Sequence, residues 1–303
     1  MILKNRSEPD GLKILRSLNV RMNLTEEEKQ YYLNQEKGYE GEKRFDELTK
    51  NLGNDLYFLN DLLLKTNNTH FQIDTLIISQ STIYLIEIKN YNGDYYYKSD
   101  NFYKMSNKDI EIQNPLQQLK RSKSLLLQFL RNLGYNVHIE PYLVFNNPEF
   151  TLYQAPLNEP IIFPTQVNRF IEKLDNTPSK LNAWHKKLAE QIISRHITES
   201  PYTLLPSYNY DQQQKGITCV TCHSFNVTVN AKKLVCDKCG NQEEIISAIL
   251  RNVEEFKLLF PHRKITTSAI QDWCKVVPSK KLIWRVLKGN YKAIGFGKWM
   301  YYK

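Results

Sequence analysis

"FQIDTLIISQSTIYLIEIKNYNG", residues 71–93, decides the fold of the first half of this chain. Ile73, Leu76, Ile77 and Ile78, then the run 83–88, are rich in β-branched and apolar residues around the polar break Ser79-Gln80-Ser81-Thr82. That spacing predicts two buried strands joined as a hairpin. A loop with an even number of residues, two or four, centres the pairing on Gln80/Ser81 and sets Asp74 opposite Glu87. Their Cβ atoms then stand about 5 Å apart on one face of the sheet. Period two adds Lys89 beside Glu87 and turns Ile86 and Ile88 to the other face. An odd loop breaks this register. A strand end with solvated charges explains an isolated E-x-K, but not two acids that face each other. Asp and Glu are poor strand formers, and direct opposition of like charges weakens a ladder. A cation or a shared proton has to compensate.

Upstream, "GYEGEKRFDELTKNLG" (38–53) predicts a helix with Phe45, Leu48 and Leu52 on its inward stripe. Glu42 lies three residues before Phe45 and shares that stripe, whereas Glu40 does not. An inward carboxylate needs a partner; the competing reading is a first-turn acid stabilised by the helix dipole, worth about 0.3–1 kcal/mol. Downstream, "NPLQQLKRSKSLLLQFLRNLG" (114–134) predicts a helix capped by Asn114, with Pro115 at its first position and Gly134 at its end. Its leucines are core. Gln117, Gln118, Lys120, Arg121 and Lys123 lie near its start, and a solvated face is the default for them.

Taken in order, G-x-x-G-E (38–42), Q-I-D (72–74), E-I-K-N (87–90), Gly93 and N-P-L-x-Q (114–118) resemble the nuclease-related domain, NERD, of the PD-(D/E)xK nuclease superfamily. The resemblance covers about the first half of the chain, and the ordered set is more specific than any one motif. It implies a restriction-endonuclease-like α/β core with a mixed central sheet flanked by helices. It also implies that Asp74 and Glu87 bind a divalent metal, that Glu42 completes or supports the acidic site, and that Lys89 acts at the reacting phosphate. Gln118 matches the family's helix glutamine, although periodicity does not separate it from Gln117. The residue types suit the chemistry. Mg²⁺ or Mn²⁺ takes oxygen ligands, which Asp74, Glu87 and the Ile88 carbonyl supply, and Lys89 is placed to position a water or stabilise charge on phosphorus.

The 303 residues and 41% hydrophobic content suit two or three globular units. No apolar run approaches the roughly 20 residues of a membrane span, and the start of the sequence lacks a secretory core, so a cytoplasmic protein is expected. Cys219-x2-Cys222 and Cys236-x2-Cys239 predict a zinc ribbon over 217–241. Four cysteines satisfy one structural Zn²⁺, leaving His223 as a spare and Cys274 as a core thiol. "SPYTLLPSYNYDQQQKG" (200–216) combines Pro, Ser and a Gln run and reads as a linker over 201–216.

The stretch 261–303 holds eight lysines and two arginines against one acid, Asp272, and so carries the whole +9 of the chain. "ITTSAIQDWCK" and "PSKKLIWRVLKG" predict two helices separated by a short break, and "NYKAIGFGKWMYYK" a glycine-turned wing. The expectation is a basic winged-helix-like end over 242–303. Lys280, Lys281, Arg285 and Lys288 sit on its second helix and Lys292 and Lys298 on the wing, as phosphate contacts to nucleic acid, double-stranded DNA above all. A nuclease-like domain with an N-terminal helical extension fills 1–200. The expected function is metal-dependent hydrolysis of DNA. A binding or regulatory protein that uses the nuclease fold without cutting, and an assembly component with protein partners or a second copy of itself, are the alternatives.

Overall fold

The two strands of the opening stretch pair antiparallel at Thr75/Ile86, Leu76/Leu85, Ile77/Tyr84 and Ile78/Ile83, the register expected from a two-residue Gln80-Ser81 loop. The turn is closed by the Ser79 N–H donating to the Thr82 carbonyl at 3.0 Å. The computed structural model describes residues 1–198 and 204–303. Its chain divides into two units, Met1–Glu8 with Leu33–Thr203 and Pro9–Tyr32 with Leu204–Lys303. β1 (Ile2–Lys4), α1 (Asp10–Arg21) and α2 (Glu26–Thr49) come first.

The first unit continues with β2 (Tyr57–Thr66), β3 (Thr69–Ile78), β4 (Thr82–Lys89), β5 (Gly93–Lys98), β6 (Asn101–Lys104), β7 (Ile110–Ile112) and α3 (Pro115–Asn132). It ends with β8 (His138–Phe145), β9 (Phe150–Tyr153), β10 (Ile161–Ile162), α4 (Val167–Asn176) and α5 (Ala183–Ile193). Six strands form a mixed sheet in the order β1-β2-β3-β4-β8-β10, antiparallel through β2, β3 and β4 and parallel elsewhere. One face buries Leu76, Leu85 and Leu143 with Phe129 of α3 and Leu188 of α5. The other buries Ile77, Ile86, Ile88 and Val144 with Phe45 of α2 and Phe170 of α4. A smaller sheet, β7-β6-β5-β9, adds Tyr95 and Phe102 to the first face. This is the helix-flanked mixed sheet that the resemblance implies.

α3 begins as its sequence dictates: the Asn114 side chain accepts from the N–H of Leu116 and Gln117, with Pro115 next. α2 differs from expectation. It starts at Glu26, where Thr25 and Glu28 exchange side-chain and backbone hydrogen bonds as a capping box. Its buried stripe is Gly41, Phe45 and Thr49, an i, i+4 row, so Leu48 lies off the row and is 41% exposed instead of core. Leu52 follows the helix and packs at the edge of the cluster around Phe45.

Gly41 explains how closely α2 approaches the sheet. A Cβ there would sit 2.5 Å from Asn90 Cβ, too near for any side chain. Asn90 donates to the Lys37 carbonyl at 2.7 Å and Asn146 to the Gly41 carbonyl at 2.6 Å, so two carboxamides clamp this turn of the helix.

The second unit contains β11 (Val227–Asn230), β12 (Lys233–Cys236), β13 (Gln242–Glu244), α6 (Ile245–Leu259), α7 (Thr267–Cys274), α8 (Lys280–Asn290), β14 (Ala293–Ile294) and β15 (Tyr301–Tyr302). β11, β12 and β13 form an antiparallel sheet behind the cysteines. Helices α6, α7 and α8, the bridge Ile265/Tyr302 and the β14/β15 hairpin have winged-helix order. Thr266 and Ser279 cap α7 and α8.

Residues 9–32, expected to extend the first domain, group instead with this unit. The reason is Arg21. Its buried guanidinium pairs with Glu255, donates to the carbonyls of Gln214 and Gly216, and lies 4.1 Å from the Trp273 ring centroid. Within the expected linker, residues 201–203 lie outside the described residues. The rest packs into the same unit, with Tyr210 buried against Phe256, Phe260 and Trp273.

Two glycines of one helix therefore have opposite expected responses. Gly41→Ala should lose about 1–3 kcal/mol of stability through overpacking, whereas Gly38→Ala, which meets open space, should be neutral or gain up to about 1 kcal/mol from helix propensity. Denaturant titration of both variants checks this, and equal stabilities would contradict the close approach at Asn90.

Candidate functional site

The site is built where the sheet breaks. β2 and β3 pair from Tyr57/Ile78 to Thr66/Thr69, yet Asp61 and Asp74, opposite each other in that register, drop out of it. Asp61 has a φ of 53°, left-handed for a non-glycine residue inside a strand. Side-chain alternation slips at the same point on both strands, because Leu59 and Leu62, and likewise Ile73 and Leu76, enter one core cluster. The β3/β4 ladder ends at Thr75/Ile86, and beyond it the Ile88 N–H donates to Asp74 Oδ2 at 2.7 Å. Carbonyls released by such a break need donors. Lys4 Nζ supplies them to Asn60 and Asp61 at 2.8 and 2.6 Å, and the Arg6 guanidinium to Asp74 at 2.9 Å.

Asp74 and Glu87 are 8% and 3% exposed. Lys89 Nζ donates to Glu87 Oε1 at 2.8 Å and to Gln118 Oε1 at 3.1 Å, so of the two glutamines that periodicity left undecided, Gln118 holds the lysine. Glu42 reaches the same neighbourhood from α2 but is engaged by Arg6 at 2.5 Å. Arg6 also grips Asp46 through two hydrogen bonds of 2.8 and 3.1 Å. Among the described residues, the group of three or more His, Cys, Asp or Glu whose ligand atoms lie mutually within 4.8 Å is the four cysteines. Glu42, Asp74 and Glu87 are thus no closed three-carboxylate cage.

The Ile88 N–H and C=O share the strand edge that faces Asp74, since the next carbonyl, Lys89, is taken from the opposite side by the Asn146 N–H. Two buried carboxylates and a main-chain carbonyl are hard oxygen donors, and they fit an ion that keeps several waters and takes one or two carboxylates. Arg6, Asp61 and Asn146 were not singled out by the sequence reading. Arg6 lies in a short polar stretch without periodicity, and the one available signal for Asp61 was an acid inside the apolar run "YFLNDLLL".

The second unit holds the other candidates. Cys219, Cys222, Cys236 and Cys239 bring their sulfurs within 4.8 Å of one another, with Sγ–Sγ distances of 3.6 Å for 219/239 and 3.5 Å for 222/236. Tetrahedral Zn²⁺ with Zn–S bonds of about 2.3 Å needs edges of about 3.8 Å, so the set fits a zinc ribbon. Each knuckle turns the same way: His223 and Gly240 are left-handed, and their N–H groups donate to the Cys219 and Cys236 carbonyls. Burial pushes the Cys219 thiol up, but N–H bonds from Cys222 and Thr221 outweigh it and bring the group down to about 7.

On α8, Lys280, Lys281, Arg285 and Lys288 are all exposed, with Trp284 among them and Lys288 Nζ 5.0 Å from its ring centroid. Lys292 is exposed at the start of the hairpin, and the side chain of Lys298 lies outside the described residues. The hairpin tip also presents Phe296 and Trp299, 93% and 72% exposed, which the charge-based reading passed over.

Burial, reinforced by Asp74, raises the Glu42 carboxyl to about 8 against the pull of Arg6, and raises Glu87 to about 7 against Lys89 and Gln118. Burial also raises Asp74, opposed by Lys89 and the Ile88 N–H. Burial tends to lower Lys89, but Glu87 and Asp74 outweigh it and hold the ammonium above the usual lysine range. The folded chain therefore keeps carboxyl protons that the unfolded chain loses above its ordinary glutamate value of 4.5. Stability from these groups is present at low pH and is lost as pH rises toward 7–8. In EDTA the thermal midpoint should fall between about pH 5 and pH 8, and Glu87→Gln should flatten the fall. A midpoint that rises over this range in wild type and variant alike would contradict the assignment.

Residues 37–146 match the family model of the nuclease-related domain. No curated protein and no solved structure matches the chain. The matched segment runs from the clamped turn of α2 to Asn146 and includes Glu42, Asp74, Glu87, Lys89 and Gln118. This chain carries, over residues 37–146, a nuclease-related domain, NERD.

Proposed function

We propose that the protein is a Mg²⁺- or Mn²⁺-dependent nuclease that hydrolyses phosphodiester bonds of DNA. The observation that carries this reading is the buried Asp74/Glu87 pair with Lys89 fixed between Glu87 and Gln118, at the point where the sheet opens. A binding module has no need of two buried acids so close together, because their repulsion weakens the fold in the absence of a cation. Asp74, Glu87 and the Ile88 carbonyl would hold the ion, which would supply charge neutralisation at the phosphate and a lowered pKa for an attacking water. Lys89 donates to the water or to a phosphoryl oxygen and stabilises the negative charge that develops there. Gln118 positions Lys89. Arg6 engages both Glu42 and Asp46, so Glu42 supports the site instead of ligating the ion.

The exposed cations of α8 contact DNA phosphates, which gives affinity without sequence information. The four cysteines hold a structural Zn²⁺ that folds the ribbon. Linear and circular DNA incubated with the full chain in Mg²⁺, Mn²⁺ or EDTA tests the reading. Asp74→Asn, which keeps an oxygen for the Ile88 N–H, and Glu87→Gln should abolish cleavage. Lys89→Ala should lower it about 100-fold or more. Replacing Lys280, Lys281, Arg285 and Lys288 together by Ala should weaken DNA capture and flatten its salt dependence by about 0.9 in log–log slope per lost contact. Cleavage at the wild-type rate by Asp74→Asn or Glu87→Gln would overturn the site assignment.

A further inference from the structure

Beside the acidic site lies a cleft of about 420 Å³ between the start of β3 and the first turns of α3. Phe71, Gln72, Gln113, Gln117, Gln118 and Arg121 contribute to its walls. Its volume falls within the about 300–1,000 Å³ of small-molecule sites. Gln118 belongs to both places, lining the cleft and holding Lys89, so the two are contiguous. Their chemistries differ sharply. The site has buried carboxylates, while no Asp or Glu lines the cleft.

Several of its polar groups are already committed. Gln72 donates to Asp61, and the neighbouring Asn114 serves as the α3 cap. The side chains of Gln113, Gln117 and Arg121 remain exposed. Gln117 and Arg121 are four residues apart on α3 and so share one face of the helix. The cleft thus offers two carboxamides, each able to donate and accept, and one guanidinium. That combination recognises a nucleotide: the guanidinium takes a phosphate, and a glutamine amide pairs with a base edge. A base lodged in a concave cleft has left its stack and its partner.

We propose that this cleft holds one unpaired nucleotide of the substrate strand next to the phosphate that is cut, with Arg121 on its phosphate and Gln113 and Gln117 on its base. The inference rests on the nuclease reading for its position and names the substrate class: DNA with a single-stranded flap, gap or frayed end at the cleavage point. Gln117 and Gln118, adjacent in sequence, then divide the work, one reading the strand and the other positioning Lys89.

The test compares two fluorescein-labelled DNA hairpins, one blunt and one with a four-nucleotide single-stranded tail, prepared in both polarities. Each is titrated by anisotropy into the full chain in EDTA, so that phosphate attraction elsewhere on the protein contributes to both hairpins. The tail should raise wild-type affinity about 10–100-fold for at least one polarity, and Gln117→Ala/Arg121→Ala should abolish that gain while binding the blunt hairpin within about twofold of wild type. Gln117→Glu should move the base preference of the tail from adenine towards cytosine. No gain for either polarity, or a gain that survives in the double variant, overturns the cleft. A parallel incubation with Mn²⁺ separates the two readings. Cleavage by wild type without a tail-dependent gain sinks the cleft alone, whereas a gain lost in the double variant with no cleavage sinks the nuclease reading alone.

Discussion

A hydrogen bond from the Ile88 amide to the Asp74 carboxylate, 2.7 Å long, stands where the β3/β4 ladder stops and the β2/β3 ladder skips a pair, and the candidate site depends on that break. An uninterrupted sheet would tie the Ile88 amide to a backbone carbonyl and leave no gap for a carboxylate. The interruption has a cost. Each buried polar group left without a partner loses about 1–3 kcal/mol, and Asp61 takes a backbone conformation that non-glycine residues avoid. Lys4 and Arg6 offset this cost by donating to the released carbonyls, which makes the first residues of the chain part of the site's foundation and not an appendage.

The same two-sided logic governs charge. Asp74, Glu87 and Glu42 are too close and too buried to ionise freely, and each is answered by a fixed donor: Ile88 N–H, Lys89 and Arg6. Removing one partner from a buried pair usually costs more than the pair contributes, because the remaining charge is left without compensation. The arrangement holds the acids in place without an ion, and on the proposed reading a bound cation would replace the protons that burial keeps on them. Gly41 belongs to this account as well, since only a residue without a side chain lets α2 bring Glu42 to the sheet.

Much of this was legible where local rules decide. The even-loop hairpin centred on Gln80/Ser81 is the one found, although its ladder ends at Thr75/Ile86, one pair short of Asp74 and Glu87; Asn114-Pro115 announced the α3 cap, and the two C-x-x-C pairs announced four converging sulfurs. Capping residues and period two are short-range, so a sequence displays them directly. What escaped was long-range. Nothing near Arg6 signals that it will be buried between Glu42 and Asp46, and nothing in "PSYNYDQQ" signals that Tyr210 will sit on Trp273. Leu48 was misplaced because one residue of rotation separates it from the row that faces the sheet, a difference set by contact with Asn90 and not by hydrophobicity. The break at Asp61 and Asp74 was hidden because alternation reasoning assumes unbroken strands.

The central claim is that the opened ladder presents Asp74, Glu87 and the Ile88 carbonyl as one metal site, and anomalous diffraction from crystals soaked in Mn²⁺ addresses it directly. The account predicts one strong anomalous peak bounded by those three oxygen donors, retained in Lys89→Ala and lost in Asp74→Asn. A peak that persists in Asp74→Asn, or manganese bound away from these three donors, would contradict it.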